Sequence, residues 1–383
     1  MSYTLEKKVS EAFHPRAPGS TTLPDDRLSI VYNKYKTTEV IPADALRFNF
    51  IFSHGTGMNK SVWHFAIKNL FELSQKSGGK WYLDTVVATD AVGHGDSSVL
   101  NGDKVGWIYK WDEGGKDLLE VIKHEQRTTG DLKNNHYSRN IAVGHSLGGF
   151  QVVAAGYYAP NLLDAIIPVE AVLYSDDKSS KRFAKIFGSM APLLLDDFDS
   201  NDDFQEFYRK FSFYKNMQAS VLDDFVGDEL LITVDPKTGE KRYKAKSSAK
   251  NQMATYLGAV LSIHKGMAML PYIIIPVFHV IGDKAKWNPP ESIPYIRNAI
   301  QNEYLAGTAD IPGGEHLVNA EKPEAVIELL VKFTLQRQQD FKEELKTLPE
   351  VKLGPNREKI REAQFAKLLE GDLTSVYGFK AKF

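Results

Sequence analysis

The stretch Asn140-Ile141-Ala142-Val143-Gly144-His145-Ser146-Leu147-Gly148-Gly149-Phe150 decides how this chain is read. Ile141 to Val143 form a short apolar run, and Gly144 and Gly148 bracket the serine two residues away on either side. From Phe150 to Tyr158 the chain is apolar and rich in Ala and Val, which predicts a helix. A serine placed between a buried strand and a helix in this way sits on a strained turn, its hydroxyl projecting from the carboxyl edge of a sheet. Gly144 and Gly148 are required because a Cβ at either would strike the neighbouring strand or helix, and Gly149 lets the helix start press close to the sheet. The first N–H groups of that helix point to the place where negative charge would develop.

Outward from this turn, apolar runs alternate with helical patterns. Strands are predicted at 28–35, 45–52, 84–89, 165–169, 276–281 and within 304–311, and helices at 61–74, 114–124, 292–303 and 325–339. Residues 1 to about 26 read as an irregular arm. The alternation predicts an α/β fold, a mostly parallel sheet with helices on both faces and functional groups at the carboxyl ends of the strands. It is interrupted from 176 to 270, where charge and aromatics such as Phe198, Phe204, Phe207, Tyr208 and Phe211 predominate. That segment is expected to form a helical cap. The expected organisation is therefore core at 1–175, helical cap at 176–270, core again at 271–340, and a C-terminal extension with a targeting tail at 341–383.

Of the 383 residues, 43% are hydrophobic and 25% charged, with a net charge of −2. This is globular composition without the basic field that nucleic-acid binding needs. Cysteine is absent, which excludes disulfides and thiol chemistry and favours a reducing compartment. The N-terminal residues lack a signal-peptide core, and no apolar run is long enough for stable membrane insertion. No His-x-x-x-His pair is placed on a helix, so no metal is expected; the expected chemistry is also cofactor-free. The ending Ala381-Lys382-Phe383 is small, basic and large apolar, like the Ser-Lys-Leu address read by the peroxisomal import receptor, with Phe in place of Leu. The expected location is the peroxisomal matrix, with the cytoplasm as the alternative.

A serine hydroxyl needs an adjacent base to act as a nucleophile. His316 is the best-placed candidate: it follows the last predicted strand, in a Gly-Gly-x-His loop downstream of the serine. A carboxylate must orient that imidazole, and two candidates remain open. Glu170 ends the apolar run 166–169, where a buried acid calls for a partner, and is favoured; Asp283 follows Gly282 at the end of the later strand. Oxyanion donors are expected from the backbone N–H of Leu147 and from that of Thr56 in the turn His54-Gly55-Thr56-Gly57. His54 and His145 read as positioning residues.

Taken together, these motifs resemble the α/β-hydrolase superfamily. The carrying pieces are His54-Gly55-Thr56-Gly57 with Trp63, the segment from Asp90 through Gly93-His94-Gly95 to Ser97, Gly144 to Gly149, and Gly313-Gly314-Glu315-His316. More narrowly the chain resembles the fungal peroxisomal lipases of that superfamily, through Pro15-Arg16-Ala17-Pro18, Val169-Glu170, Trp287-Asn288-Pro289-Pro290, residues 311–319 and the tail. The resemblance implies a lipase or esterase, a serine carboxylic-ester hydrolase for acyl glycerides or related small-molecule lipid esters. An acyl-CoA thioesterase is the chemical alternative, and a lipid-binding protein without turnover is the alternative of another class. Serine rather than aspartate at position 146 argues against the dehalogenase and epoxide hydrolase branches.

Overall fold

A computed structural model describes residues 2–372. The Ala381-Lys382-Phe383 tail lies outside the described residues. The chain divides into two compact units, Met1–Leu329 and Leu330–Phe383. The helix Pro323–Leu345 runs across that division, and the second unit also contains the helices Pro349–Leu353 and Arg357–Leu369.

The first unit is built on eleven strands: β1 (Tyr3–Glu11), β2 (Ser29–Thr37), β3 (Arg47–Ser53), β4 (Tyr82–Thr89), β5 (Ser138–His145), β6 (Ala165–Val169), β7 (Asp197–Phe198), β8 (Leu230–Val234), β9 (Lys241–Ala245), β10 (Val277–Gly282) and β11 (Leu305–Ile311). Eight of them form one sheet in the order β1-β2-β4-β3-β5-β6-β10-β11. Only the β1–β2 and β2–β4 pairs are antiparallel; the rest are parallel. β5 lies between β3 and β6, and all of β6 and β10 and nearly all of β3 and β5 are buried. Covered on both faces, such strands carry continuous apolar runs rather than alternation. The α/β reading of the sequence therefore holds, and β5 delivers Ser146 to the middle of the carboxyl edge.

Two local expectations fail. The first 26 residues are not irregular throughout, since β1 adds an outer strand to β2 and displaces it from the edge. β1 is mostly exposed and reads Tyr-Thr-Leu-Glu-Lys-Lys-Val-Ser-Glu, a charged edge strand that does not announce itself by burial. The cap is not wholly helical either. Its helices Asp177–Met190, Asn201–Glu206, Ala219–Glu229 and Ala249–Met269 are joined by a small antiparallel sheet ordered β7-β9-β8. The β8–β9 turn is held by Asp235, whose carboxylate accepts the Lys237 N–H at 2.7 Å.

The cap has its own aromatic core. Tyr208 packs against Phe204 at 4.8 Å and Phe225 at 5.7 Å between ring centroids, and Tyr214 against Phe225 at 4.8 Å. Polar ties bind it to the sheet below. Tyr214 donates from its hydroxyl to the Gly57 carbonyl at 2.6 Å. Lys60, fully buried, donates from Nζ to Asp90 at 2.8 Å, Asp96 at 2.9 Å and Asp228 at 2.8 Å. Asp228 belongs to the cap, so this buried cation bridges cap and core.

Candidate active site

β5 ends at His145, Ser146 turns the chain, and the helix Leu147–Tyr158 begins at once. Ser146 has φ 53° and ψ −111°, a conformation L-residues avoid. The fold compels it through crowding. A Cβ on Gly144 would lie 2.0 Å from the Gly148 carbonyl oxygen, and one on Gly148 would lie 2.3 Å from that of Ser53. The Ser146 N–H is anchored on the Val169 carbonyl at 3.0 Å. With the backbone so held, the hydroxyl faces His316.

His316 Nε2 is 3.0 Å from Ser146 Oγ, and His316 Nδ1 is 3.2 Å from Glu170 Oε2. The other Glu170 oxygen accepts the Gly282 N–H at 2.8 Å. Parallel pairing explains the meeting: β6 and β10 run side by side with Val169 opposite Val280, and the Glu170 N–H bonds the Val280 carbonyl. Glu170 itself has φ 47°, the second strained non-glycine residue of the site. Of the two acids left open by the sequence, Glu170 is the one on His316. Asp283 is half exposed, and its carboxylate accepts the Gly313 N–H at 2.7 Å, at the base of the loop that carries His316.

Further contacts fix the imidazole. His145 donates from Nε2 to the His316 carbonyl at 2.7 Å, and Trp287 stacks on the His316 ring at 5.2 Å and 18°. Asn288 donates to the Ala171 carbonyl at 3.3 Å beside the acid. His54 donates from Nδ1 to the Gly55 carbonyl at 2.8 Å and accepts the Ala91 N–H at 3.1 Å, which shapes the turn holding Thr56. The contacts of Trp287 and Asn288 depend on long-range pairing, and only their bare presence in the sequence signals them, whereas His54 and His145 already read from the sequence as positioning residues.

Burial sets the charge state. It lowers the His316 pKa to about 3 and raises that of the Glu170 carboxyl to about 7, while the Gly282 N–H and Asn288 pull Glu170 back down. A neutral imidazole can accept the serine proton.

Above these groups lies a cavity of about 840 Å³. Ser146, His316 and Thr56 line its floor, and Ile186, Met190, Leu193, Phe207 and Tyr256 of the cap line its walls. The N–H of Leu147, the first helical residue, has no intrahelical acceptor, and Thr56 lines the cavity together with Ser146. Among the described residues no cluster of His, Asp and Glu is arranged to hold a metal ion.

A model described as the alpha/beta hydrolase family matches residues 50–329. The chain belongs to the alpha/beta hydrolase family. Within it, the chain is 28% identical over 339 residues to the peroxisomal membrane protein LPX1 of Saccharomyces cerevisiae, covering 85% of each chain. The solved structure of that yeast peroxisomal alpha-beta-hydrolase superposes with a TM-score of 0.75 at 25% identity, over 98% of this chain and 99% of that one. A type I acyl-CoA thioesterase of Penicillium brevicompactum, mpaH', is 26% identical over 196 residues, half of this chain and 41% of that protein. A thermophilic esterase from Thermogutta terrifontis shares the fold, with a TM-score of 0.52 at 15% identity over 87% of this chain and 99% of that one. The proteins similar to this chain thus include a thioesterase by sequence and an esterase by fold.

Proposed function

We propose that this hydrolase is a cofactor-free serine ester hydrolase, a lipase or carboxylesterase, acting on lipid acyl esters. The observation that carries the reading is the unbroken run of contacts from Ser146 through His316 to Glu170 on the floor of an apolar cavity. Ser146 Oγ attacks the ester carbonyl while His316 Nε2 takes its proton. Glu170 holds the imidazole in the tautomer with the proton on Nδ1 and stabilises the imidazolium. The Leu147 and Thr56 N–H groups receive the oxyanion. His316 then protonates the leaving alcohol, and water hydrolyses the acyl-serine by the same route in reverse. The apolar walls suit an acyl chain, and acyl glycerides are the proposed substrates.

Ser146→Ala is expected to lower turnover of p-nitrophenyl esters by about 10⁴-fold or more and to abolish labelling by a fluorophosphonate probe. Wild-type turnover in that variant overturns the mechanism. Retained ligand without labelling of the wild-type protein would instead favour the lipid-binding reading. The name of the yeast relative, a peroxisomal membrane protein, supports a peroxisomal association for this chain, and the Ala381-Lys382-Phe383 tail is the feature that would suit import into the matrix through the receptor. Deleting those three residues from a fluorescent fusion is expected to leave it in the cytosol. Peroxisomal fluorescence in the deleted form removes the tail from the proposal.

A further inference from the structure

The turn that carries Thr56 is gripped by the cap. Gly55 to Met58 form a tight turn closed by the Met58 N–H on the Gly55 carbonyl at 3.1 Å. Gly57, its third residue, has φ 78°, as a type II turn requires. With glycine at the first and third positions, the turn has little conformational preference of its own and takes its geometry from what holds it. On the core side, His54 bonds the Gly55 carbonyl and the Ala91 N–H. The cap holds the other end at Gly57, Asn59, Lys60 and Ser61. Tyr214 donates to the Gly57 carbonyl at 2.6 Å. Asn59 donates from Nδ2 to the Phe225 carbonyl at 3.1 Å and to Glu229 at 2.9 Å. Lys60 and the Ser61 hydroxyl both reach Asp228, at 2.8 Å and 2.7 Å. Of these ties only the one from Tyr214 falls inside the turn. Tyr214 is buried, and its ring is wedged against Phe213 at 4.1 Å and Phe225 at 4.8 Å and stacked on Tyr208 at 5.8 Å. A Cβ on Gly57 would strike the Tyr214 hydroxyl, so the close approach needs glycine there. Burial also raises the Tyr214 pKa well above its ordinary value, so the hydroxyl keeps the proton it donates. The same cap segment rests on the far side of the site, where the Gln218 N–H bonds the carbonyl of Ala320 at 2.8 Å, in the chain that continues from His316.

We propose that Tyr214 is a positioning residue for the oxyanion hole, a cap hydroxyl that fixes the Gly57 carbonyl and through it the Thr56 N–H. This rests on the serine-hydrolase reading above and adds a residue of the cap to it. Tyr214 does not line the cavity, so it acts through the turn and not on the substrate. When Ser146 Oγ bonds to the acyl carbon, the carbonyl electron pair moves onto the oxygen and the serine proton goes to His316. The N–H groups of Leu147 and Thr56 then meet the new negative charge. Donors fixed in advance stabilise that charge because they need no reorientation at that moment. The Leu147 N–H is fixed by the start of a helix. The Thr56 N–H lies in the glycine-containing turn and depends on outside grips. Without the Tyr214 hydroxyl the Gly57 carbonyl loses its cap partner, and the turn is held from the core side and from Asn59 onward only. The loss then falls on the transition state, where the oxyanion exists, and not on binding of the neutral ester. The cap is thereby part of the catalytic arrangement as well as the wall of the acyl cavity.

The test compares Tyr214→Phe with Tyr208→Phe in the full chain. Each removes one hydroxyl from the same aromatic cluster and keeps its ring, but Tyr208 makes no hydrogen bond to the turn. With p-nitrophenyl octanoate, Tyr214→Phe should lower kcat by about tenfold or more, short of the roughly 10²–10³-fold loss of an oxyanion donor itself, and leave KM within about twofold. A long-chain alkyl trifluoromethyl ketone supplies the second readout, because Ser146 adds to it to give a stable tetrahedral oxyanion. Its inhibition constant should rise in Tyr214→Phe by the same factor as kcat/KM falls, which a loss of packing alone would not produce. Tyr208→Phe should keep kcat and the inhibition constant within about twofold of wild type. Unchanged kcat and ketone binding in Tyr214→Phe overturn the proposal. So does a loss carried by KM alone, which would assign Tyr214 to the shape of the cavity. An equal loss in Tyr208→Phe also overturns it, because the effect would then be a general loosening of the cap. A wild type that neither turns over the ester nor reacts with the fluorophosphonate probe or the ketone defeats the underlying serine-hydrolase reading instead.

Discussion

At Ser146 and Glu170 the backbone occupies φ 53° and φ 47°, and the two residues are joined through one imidazole. Each such conformation costs about 1–3 kcal/mol and persists only where the surroundings impose it. Gly148→Ala should therefore be poorly tolerated, since its methyl would lie 2.3 Å from the Ser53 carbonyl oxygen. Overpacking of this kind costs about 1–3 kcal/mol, which a urea titration would register as a lower midpoint at unchanged slope. Glu170→Gln is expected to lower kcat by about 10³-fold or more with the fold intact, because the amide cannot stabilise the imidazolium. Asp283→Asn should lose less than about tenfold, since an amide oxygen can still accept the Gly313 N–H. The reverse ranking would exchange the roles of the two acids. The pH profile carries a further sign. The active pair is neutral His316 with ionised Glu170, and one added proton disables it whichever group receives it. kcat/KM should fall on the acid side through a single step no higher than about pH 7, the value to which burial raises Glu170. In Glu170→Gln that step should move to lower pH, because only His316 is left to titrate and burial draws it to about 3. An unmoved step would place the titrating group elsewhere.

The cap is held to the sheet by charge as well as by aromatic packing. Lys60 Nζ touches Asp90, Asp96 and Asp228, and Lys246 bridges Asp96 at 2.6 Å and Asp228 at 3.1 Å. Lys60→Met removes the central cation and strands the fully buried Asp90 carboxylate. Breaking a buried network by taking one partner costs about 3–5 kcal/mol, and denaturant unfolding of Lys60→Met should show a loss of that size. A change under about 1 kcal/mol would mean that the cluster contributes nothing net. Nothing in the local pattern announces this element: Lys60 and Asp228 are 168 residues apart. The same reason divides what was legible from what was not. β5 and its serine turn were legible because apolar continuity, glycine and helix start all fall within a dozen residues. His316 was legible from its order after the last strand. The acid remained open because its choice depends on β6 pairing with β10, a register that apolar runs do not encode. β9, which reads Lys-Arg-Tyr-Lys-Ala, escaped because its cationic residues outweigh the short Tyr243 and Ala245 face and only Ala245 is buried.

Across the molecule as a whole, buried carboxylates pull stability in opposite directions as pH changes. Glu229 is fully buried in the cap, where Asn59 and the Ser247 N–H bond it, and burial still raises its pKa to about 7; Glu170 behaves alike. A carboxyl with a raised folded value binds its proton more tightly folded than unfolded. Acidification from about pH 7 towards the ordinary carboxylate range therefore stabilises the fold through these two. Glu125 does the reverse. It is buried on the helix Trp111–Thr128, where Lys34 and the Tyr32 hydroxyl of β2 and Lys8 of β1 bond it, and against the opposing effect of burial these partners bring its pKa down to about 2. Asp96 and Asp228 are likewise lowered, by Lys246 and Lys60 among others. The stability these groups contribute is complete above their unfolded values and is lost as pH falls through the folded ones. Thermal midpoints should accordingly rise as pH is lowered from about 7 to about 5, pass through a maximum, and drop steeply below about 4. Glu229→Gln should flatten the neutral side of that curve and leave the acid side alone, whereas Glu125→Gln should flatten the acid side. A midpoint that climbs steadily from acid to pH 7 would show that the buried carboxyls of the cap and of the candidate site stay ionised in the folded protein, and would remove the basis for placing the acid step of the rate profile near Glu170.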